Sequence, residues 1–490
     1  MRIAALVLSL PAIAAAQQMA IGEYVIPTAN SSSMAIAMGS DGALWFTETS
    51  GNKIGRITTA GAITEYPLRT VGADPIWIAA GPDGALWFTE YYGNKIGRIS
   101  TGGAISEYPL PTATSTPSGI AAGPDGAMWF TERYEGNKIG RITTAGTITE
   151  YPVPTPDSDP AGIAAGPDGA LWFTEFAGNQ IGRITTTGAI TEYPIPTSDC
   201  GPDVITAGPD GALWFTEYYG SQIGRITVSG LVTEYPTLTA YSYPAGIAAG
   251  PDGALWFTEG NGNKIARITT AGAIAEYPVP TAGSQPAGIA SGPDDAIWFV
   301  ENVGNKIGEA VFVEAGLTVS PPSGFYRTSL TFAGSGFAPD ESVEIYLAGV
   351  GSAVLATAVA DASGSFTVSA REPQSPYGPR LFLGVGQSSG KLGAANFSVT
   401  PHLILTPNSG PLGSQVTPQG YGFGPFDIID IYWNNPRTHV GTAIANVNGT
   451  FSGSVADIFS IPSGAPAGAD LVVGRVESTG VIGLGSFTVQ

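Results

Sequence analysis

Gly81-Pro82-Asp83-Gly84-Ala85-Leu86-Trp87-Phe88-Thr89-Glu90 is one of seven close copies of a single stretch. The copies carry Trp45, Trp87, Trp129, Trp172, Trp214, Trp256 and Trp298, at steps of 42, 42, 43, 42, 42 and 42 residues. A period this long and regular marks a stacked or radial repeat architecture.

Outward from the quoted stretch, the second repeat resolves into four short strands. Ile76 to Ala80 is apolar, as a buried strand requires. Gly81-Pro82-Asp83-Gly84 is a tight turn, and Ala85 to Thr89 is a second strand rich in aromatic residues. Tyr91-Tyr92-Gly93 turns the chain into a third strand, Lys95 to Ser100, where Gly97 marks a bulge or a close backbone approach. Thr101-Gly102-Gly103 turns again, and Ala104 to Tyr108 is a fourth strand stopped by Pro109. Four antiparallel strands per repeat predict one blade of a β-propeller.

The ends predict how the ring closes. The seventh repeat lacks the Glu-Tyr-Pro strand that begins at Glu65, Glu107, Glu150, Glu192, Glu234 and Glu276. A matching fragment, Glu23-Tyr24-Val25-Ile26-Pro27, stands alone before the first repeat. An N-terminal strand that completes the seventh blade removes the exposed edges of the ring. The propeller is expected over residues 21–313.

From Ala315 the period changes. Leu317-Thr318-Val319-Ser320-Pro321 returns as Leu403-Ile404-Leu405-Thr406-Pro407, and Gly334-Ser335-Gly336-Phe337 returns 86 positions on as Gly420-Tyr421-Gly422-Phe423. Alternating strands between Gly and Pro turns predict two immunoglobulin-like β-sandwiches, residues 315–400 and 401–490, in an all-β chain.

Composition bounds the function. A net charge of −20 disfavours nucleic acid and anionic membranes as partners, since both repel an acidic surface. Residues 1–16 read as a secretory signal: Arg2, a short apolar run from Ala4 to Leu10, and a small-residue cleavage site at Ala14-Ala15-Ala16. No later run is long and apolar enough for membrane insertion. The expected location is secreted, periplasmic or at the cell surface. Cys200 is the single cysteine, so no internal disulfide forms. Asn30, Asn396 and Asn448 sit in glycosylation patterns.

The unit Gly-Pro-Asp-Gly-Ala-Leu-Trp-Phe-Thr-Glu, followed by Gly-Asn-Lys-Ile-Gly-Arg and Ile-Thr-Glu-Tyr-Pro, resembles the virginiamycin B lyase (streptogramin lyase) family across all seven blades. The sandwiches, with their Pro-x-Ser-Gly opening and Gly-x-Gly-Phe turn, resemble the IPT/TIG immunoglobulin type, whose members act as spacers or adhesive modules. The first resemblance implies Mg²⁺-dependent elimination that opens the ester-closed ring of a streptogramin. Histidines and glutamates near the starts of the last two blades would carry it, since an imidazole suits proton abstraction near neutral pH. Family members open those blades with Pro-His. Here the pairs are Pro244-Ala245 and Pro286-Ala287, the acidic residue before the second pair is Gln285, and the third carboxylate falls near Glu301 or Asn302. The only histidines, His402 and His439, lie in the C-terminal pair, where surface or loop positions are expected. The expectation is a propeller without the family's lyase chemistry, with no catalytic residues, no metal site and no cofactor. Mg²⁺ enters only in the alternative, a lyase rearranged around Asp203, a tyrosine or Glu301. A purely structural surface protein is the third reading.

Positions that break the repeat are where function is sought. The loops before the first strand and after the second share one face. There the sequence places Tyr91, Tyr92, Tyr134, Phe176, Tyr218, Tyr219, Tyr241 and Tyr243, with Trp77 nearby. Met34, Ile76, Ser118, Ala161, Asp203, Ala245 and Ala287 are expected to ring the channel mouth, with Asp203 the one ionisable member. Aromatic rings joined by a polar handle suit a glycan, a peptide or a flat small molecule. The second-strand tryptophans are expected between blades. The turn aspartates are expected to make turns, and the repeated Glu and Arg to be solvated or paired. Cys200 is expected to be inert.

Overall fold

The computed structural model describes residues 18–347, 354–373, 377–424, 426–433, 438–446, 449–452, 459–462, 465, 467–477 and 479–490. The expected signal segment and Asn448 lie outside the described residues. Among the described residues there is no helix, and so none long and apolar enough to cross a membrane.

Seven four-stranded antiparallel sheets form the blades. In the second blade the strands are Pro75–Ala80, Leu86–Glu90, Lys95–Ile99 and Ile105–Pro109, running from the channel outward. Pro109 ends the outer strand within its ladder, paired with Lys95, because an outer strand has an unused side where a missing N–H costs nothing. The bulge lies in the inner strand, between Pro75 and Ile78, and the ladder through Gly97 is regular. Gly97 is instead a close approach: a Cβ there would stand 2.1 Å from the Phe88 ring.

Alternation along the second strand builds the blade-to-blade core. Trp87 packs with Met128, Phe130 and Ile120 of the third blade, while Phe88 packs with Trp45 of the first. Both rings are fully buried. The turn aspartate does more than turn: Asp83 accepts from Trp87 Nε1 at 3.0 Å and from Arg98 Nε at 2.7 Å. Tyr108 of the outer strand stacks on Trp87 at 5.6 Å. Burial pushes the Asp83 carboxyl up, but the hydrogen bonds from Trp87 and Arg98, with the Arg98 charge, outweigh it and hold it below its ordinary range.

Closure follows the sequence expectation. Gln18–Val25 pairs antiparallel with Lys306–Val313 as the outer strand of the seventh blade. Glu23 takes the place of the outer-strand glutamates elsewhere. It accepts from Thr281 N and Oγ1 at 2.8 and 2.9 Å and pairs with Lys306 at 2.6 Å, as Glu107 does with Thr70 and Lys95. Tyr24 stacks on Trp298 at 5.7 Å.

Two nearly closed β-sandwiches follow. In the first, the strands at the ends of the sheet path, Val354–Val359 and Phe366–Arg371, lie side by side. Phe366 and Phe451 cover Gly334 and Gly420, where a Cβ would stand 2.1 and 2.0 Å from each ring, which accounts for the first glycine of the repeated Gly-x-Gly-Phe. The first sandwich shares a core with the closing blade: Leu381 and Leu383 cluster with Tyr24, Ile26 and Val311. The two sandwiches meet where Phe325 stacks on His402 at 4.2 Å and Tyr326 on Tyr421 at 4.7 Å.

Candidate functional site

The mouth of the channel is fixed by a threonine in the second strand of six of the seven blades. Thr89 Oγ1 accepts from Trp77 N at 3.1 Å and donates to Ser118 O of the next blade at 2.7 Å. The same bridge runs from Thr47 to Ile76 and on through Thr131, Thr174, Thr216 and Thr258 to Ala287. Val300 holds this place in the seventh blade; at the seam to the first blade Asn302 Nδ2 donates to Ser33 O at 3.1 Å, and Asn305 Oδ1 accepts from Ser31 N at 2.8 Å.

Above this frame most of the expected aromatic residues form a connected arc over the second to sixth blades. Tyr91 and Tyr92 meet edge to face at 5.0 Å. Burial, then the contact with Tyr134, pushes the Tyr91 phenol above its ordinary range. Phe176 meets Tyr219 at 5.6 Å, Tyr219 meets Tyr218 at 5.2 Å, and Tyr218 stacks on Tyr243 at 4.9 Å. Tyr92, Tyr134 and Tyr219 remain exposed, at 71, 56 and 59%. Two expected members stand apart. Tyr241 is exposed but makes no ring contact with the others. Trp77 turns into the channel, where it reaches the cores of the second, third and sixth blades and lines a cavity of about 190 Å³ with Val204, Ile247 and Ile289.

The arc is joined by a residue that the sequence puts in the loops of this face, beside Tyr134, but that sequence reasoning did not count among the binding residues. Arg133 lies over Tyr134 at 5.5 Å and over Phe176 at 5.4 Å. Its guanidinium is clamped by Asp159, Nε to Oδ1 at 2.7 Å and Nη2 to Oδ2 at 2.5 Å. The pair is 26 positions apart and joins neighbouring blades. The signal available was that this loop alone puts arginine where other blades carry Tyr91, Phe176 or Tyr218. Asp203 sits nearby at the mouth, and among the described residues its carboxylate makes no hydrogen bond or ion pair. Burial raises its pKa, Arg133 opposes the shift, and Asp159 adds to it.

Beneath the face lies a set of carboxyls that the sequence did not reveal. Glu48, Glu90, Glu132, Glu175, Glu217, Glu259 and Glu301 end the second strands, fully buried, and among the described residues neither oxygen of any of them has a hydrogen-bond partner. Desolvation first, then the outer-strand glutamate of the same blade or, for Glu301, Glu23, raises their pKa to about 7 or 8. Hydroxyls such as that of Ser158 ease the shift without reaching bonding geometry. Glu301 is thus the seventh member of a repeated buried set. In the fourth and fifth blades Gln180 and Gln222 replace the lysine that neutralises each neighbouring glutamate elsewhere.

Cys200 is fully buried, and burial followed by Glu217 pushes its thiol well up, away from the reactive thiolate. Both histidines lie on strands: His439 is exposed, in line with the expected surface or loop setting, and His402 departs from it. His402 is half-buried at the joint between sandwiches, with its pKa lowered mainly by desolvation, and His439 Nε2 lies 3.2 Å from Asp430.

A Mg²⁺ site of the kind the family implies does not fit the residues present. Among the described residues no group of three or more His, Cys, Asp or Glu is placed to hold a metal ion. The openings of the last two blades carry Ala245 and Ala287.

The model of the virginiamycin B lyase family matches residues 12–200 and 192–318, and a macroglobulin-like domain matches residues 313–399. Virginiamycin B lyase from Staphylococcus aureus is 44% identical, with a TM-score of 0.58 over 60% of this chain and 100% of that one. A streptogramin B lyase structure is 42% identical over 60% of this chain and 98% of its own, with the same TM-score of 0.58. A catalytically inactive histidine-to-alanine variant of the S. aureus enzyme, solved with quinupristin, aligns equally well at 44% identity, 60% of this chain, 100% of its own and a TM-score of 0.58. The chain belongs to the virginiamycin B lyase family, with two β-sandwiches following the family's seven-bladed propeller.

Proposed function

We propose that this protein is a non-catalytic binding member of its family, which holds a glycan, a peptide or a flat small molecule on the aromatic arc of its propeller. One observation carries the loss of chemistry. A relative is catalytically inactive once one histidine becomes alanine, and here the propeller has no histidine, with alanine after proline at both blade openings. An alanine side chain accepts no proton. The arc carries the binding reading: aromatic area at the surface, with Asp203 and the Arg133–Asp159 pair as polar handles. In this reading the propeller, residues 21–313, is the binding module of an exported protein. The sandwiches, residues 315–400 and 401–490, are its stalk or surface attachment.

The purified protein, incubated with a streptogramin B and Mg²⁺ beside a histidine-bearing relative, is examined by fragmentation mass spectrometry, since elimination leaves the mass unchanged. No linear product is expected. Ring opening above the buffer blank would overturn the non-catalytic reading. A glycan and peptide array follows. Replacing Tyr91, Tyr92, Tyr218 and Tyr219 by Ala is expected to abolish binding of any ligand found while the protein stays folded; undiminished binding would remove the arc as the site.

A further inference from the structure

The two halves of the arc have the same ingredients except one. Over the third and fourth blades, a carboxylate and two rings surround a cation: Arg133 lies between Tyr134 and Phe176 and is neutralised by Asp159. Over the fifth and sixth blades, Tyr218, Tyr219 and Tyr243 are clustered within 6.4 Å of one another. Asp203 follows two residues after Gly201, whose carbonyl accepts from Tyr218 N at 2.9 Å and where a Cβ would stand 2.9 Å from the Tyr219 ring. Here, among the described residues, no cation forms an ion pair with the Asp203 carboxylate. Arg133 is committed to a bidentate partner and does not reach Asp203 as an ion pair. The corresponding loop residues are aromatic, and Gln222 has replaced the lysine of the blade beneath.

Resting on the binding reading of this face, we infer that its ligand carries an organic cation, an ammonium or guanidinium group, which seats against Asp203 and the faces of Tyr218, Tyr219 and Tyr243. Ring faces attract cations through their quadrupole, and a carboxylate in a partly enclosed mouth adds a Coulomb attraction that bulk water screens less. The protein's net charge of −20 draws cations toward it and repels anionic ligands. A glycan hydroxyl satisfies Asp203 by a hydrogen bond but leaves its charge uncompensated, which a cation does not.

The test uses the whole protein and two probes of matched shape: choline, and its uncharged isostere 3,3-dimethylbutan-1-ol. Binding is followed by tyrosine fluorescence at constant ionic strength, with sodium chloride balancing the choline salt. Choline is expected to bind at least about tenfold more tightly than the alcohol, with the preference lost in Asp203→Asn, which keeps the side chain's shape. Tyr243→Ala is expected to weaken both probes. Equal binding of the two probes would overturn the cation assignment while leaving the arc as a binding face. Absence of saturable binding by either probe would overturn the cation assignment too, and the array with the tyrosine replacements then decides the face separately. A preference that survives Asp203→Asn would place the cation elsewhere and refute the assignment to this carboxylate.

Discussion

Glu175 ends the second strand of the fourth blade, fully buried and without a hydrogen-bond partner among the described residues, and its pKa is raised to about 8 by desolvation and then by Glu192. In the unfolded chain a glutamate titrates near about 4.3. Between these values the folded state binds more protons than the unfolded state, so stability falls as pH rises. The contribution is intact below the unfolded pKa and is fully lost above the folded one. From pH 5 to pH 7 the loss for this one carboxyl is about 2–3 kcal/mol, at about 1.4 kcal/mol per pH unit. Six further carboxyls share its setting, although coupling through a common fold keeps the total below their sum. Urea unfolding of the wild type and of Glu175→Gln, repeated at half-unit steps from pH 5 to pH 8, measures this directly. The wild type is expected to lose stability across the range. The variant is expected to lie within about 1 kcal/mol of it at pH 5 and to gain by about 2–3 kcal/mol by pH 7. A wild-type stability that is flat or rises over this range, or a gain in the variant that does not grow with pH, would refute the argument that these carboxyls are buried without partners.

Glu23→Ala removes two hydrogen bonds from Thr281 and the partner of Lys306 at the closing strand. A loss of about 3–5 kcal/mol is expected in denaturant unfolding, because a cation is left uncompensated. A loss under 1 kcal/mol would mean that the closing strand is held by its ladder and rings alone. Val300→Thr restores the missing threonine bridge at the seam and is expected to stabilise by about 0.5–1.5 kcal/mol, read as a rise in midpoint at unchanged slope. Destabilisation would show that apolar packing at this place outweighs the bond. Cys200 is expected to react with a thiol reagent at pH 8 at least about a hundredfold more slowly than a free thiol, and at the free rate once the chain is unfolded. Rapid reaction of the native protein would contradict its burial.

Most of the fold was legible because the blade is written locally. Trp87 and Phe88 are adjacent and point to opposite neighbours, so the interblade core repeats wherever the pair repeats. The lone Glu23-Tyr24 fragment revealed closure because it carries the two side chains that the outer strand needs, one for Lys306 and one for Trp298. The site was legible only in part. Arg133 meets Asp159 across a blade boundary, and no local pattern encodes that distance. Trp77 was placed on the face because its strand begins there, but the small residues at its position in most other blades leave room for it to turn into the channel. The buried glutamates were missed because a charged residue at a strand end usually meets water. Here the loop folds back over it, with Gly93 N bonded to Ala73 O above Glu90.

The closing strand also sets an order of events during synthesis. Lys306 is 283 residues beyond Glu23, so the first strand made waits for nearly the whole ring before its partner exists. At ribosomal speed this is roughly 15–60 s of waiting, during which the growing stack of blades has two unpaired edges. Leu381 and Leu383, which cover the finished junction, emerge later still. The first sandwich is therefore a latch fitted after the ring is joined, and anything that binds a bare strand edge has its opportunity before that moment.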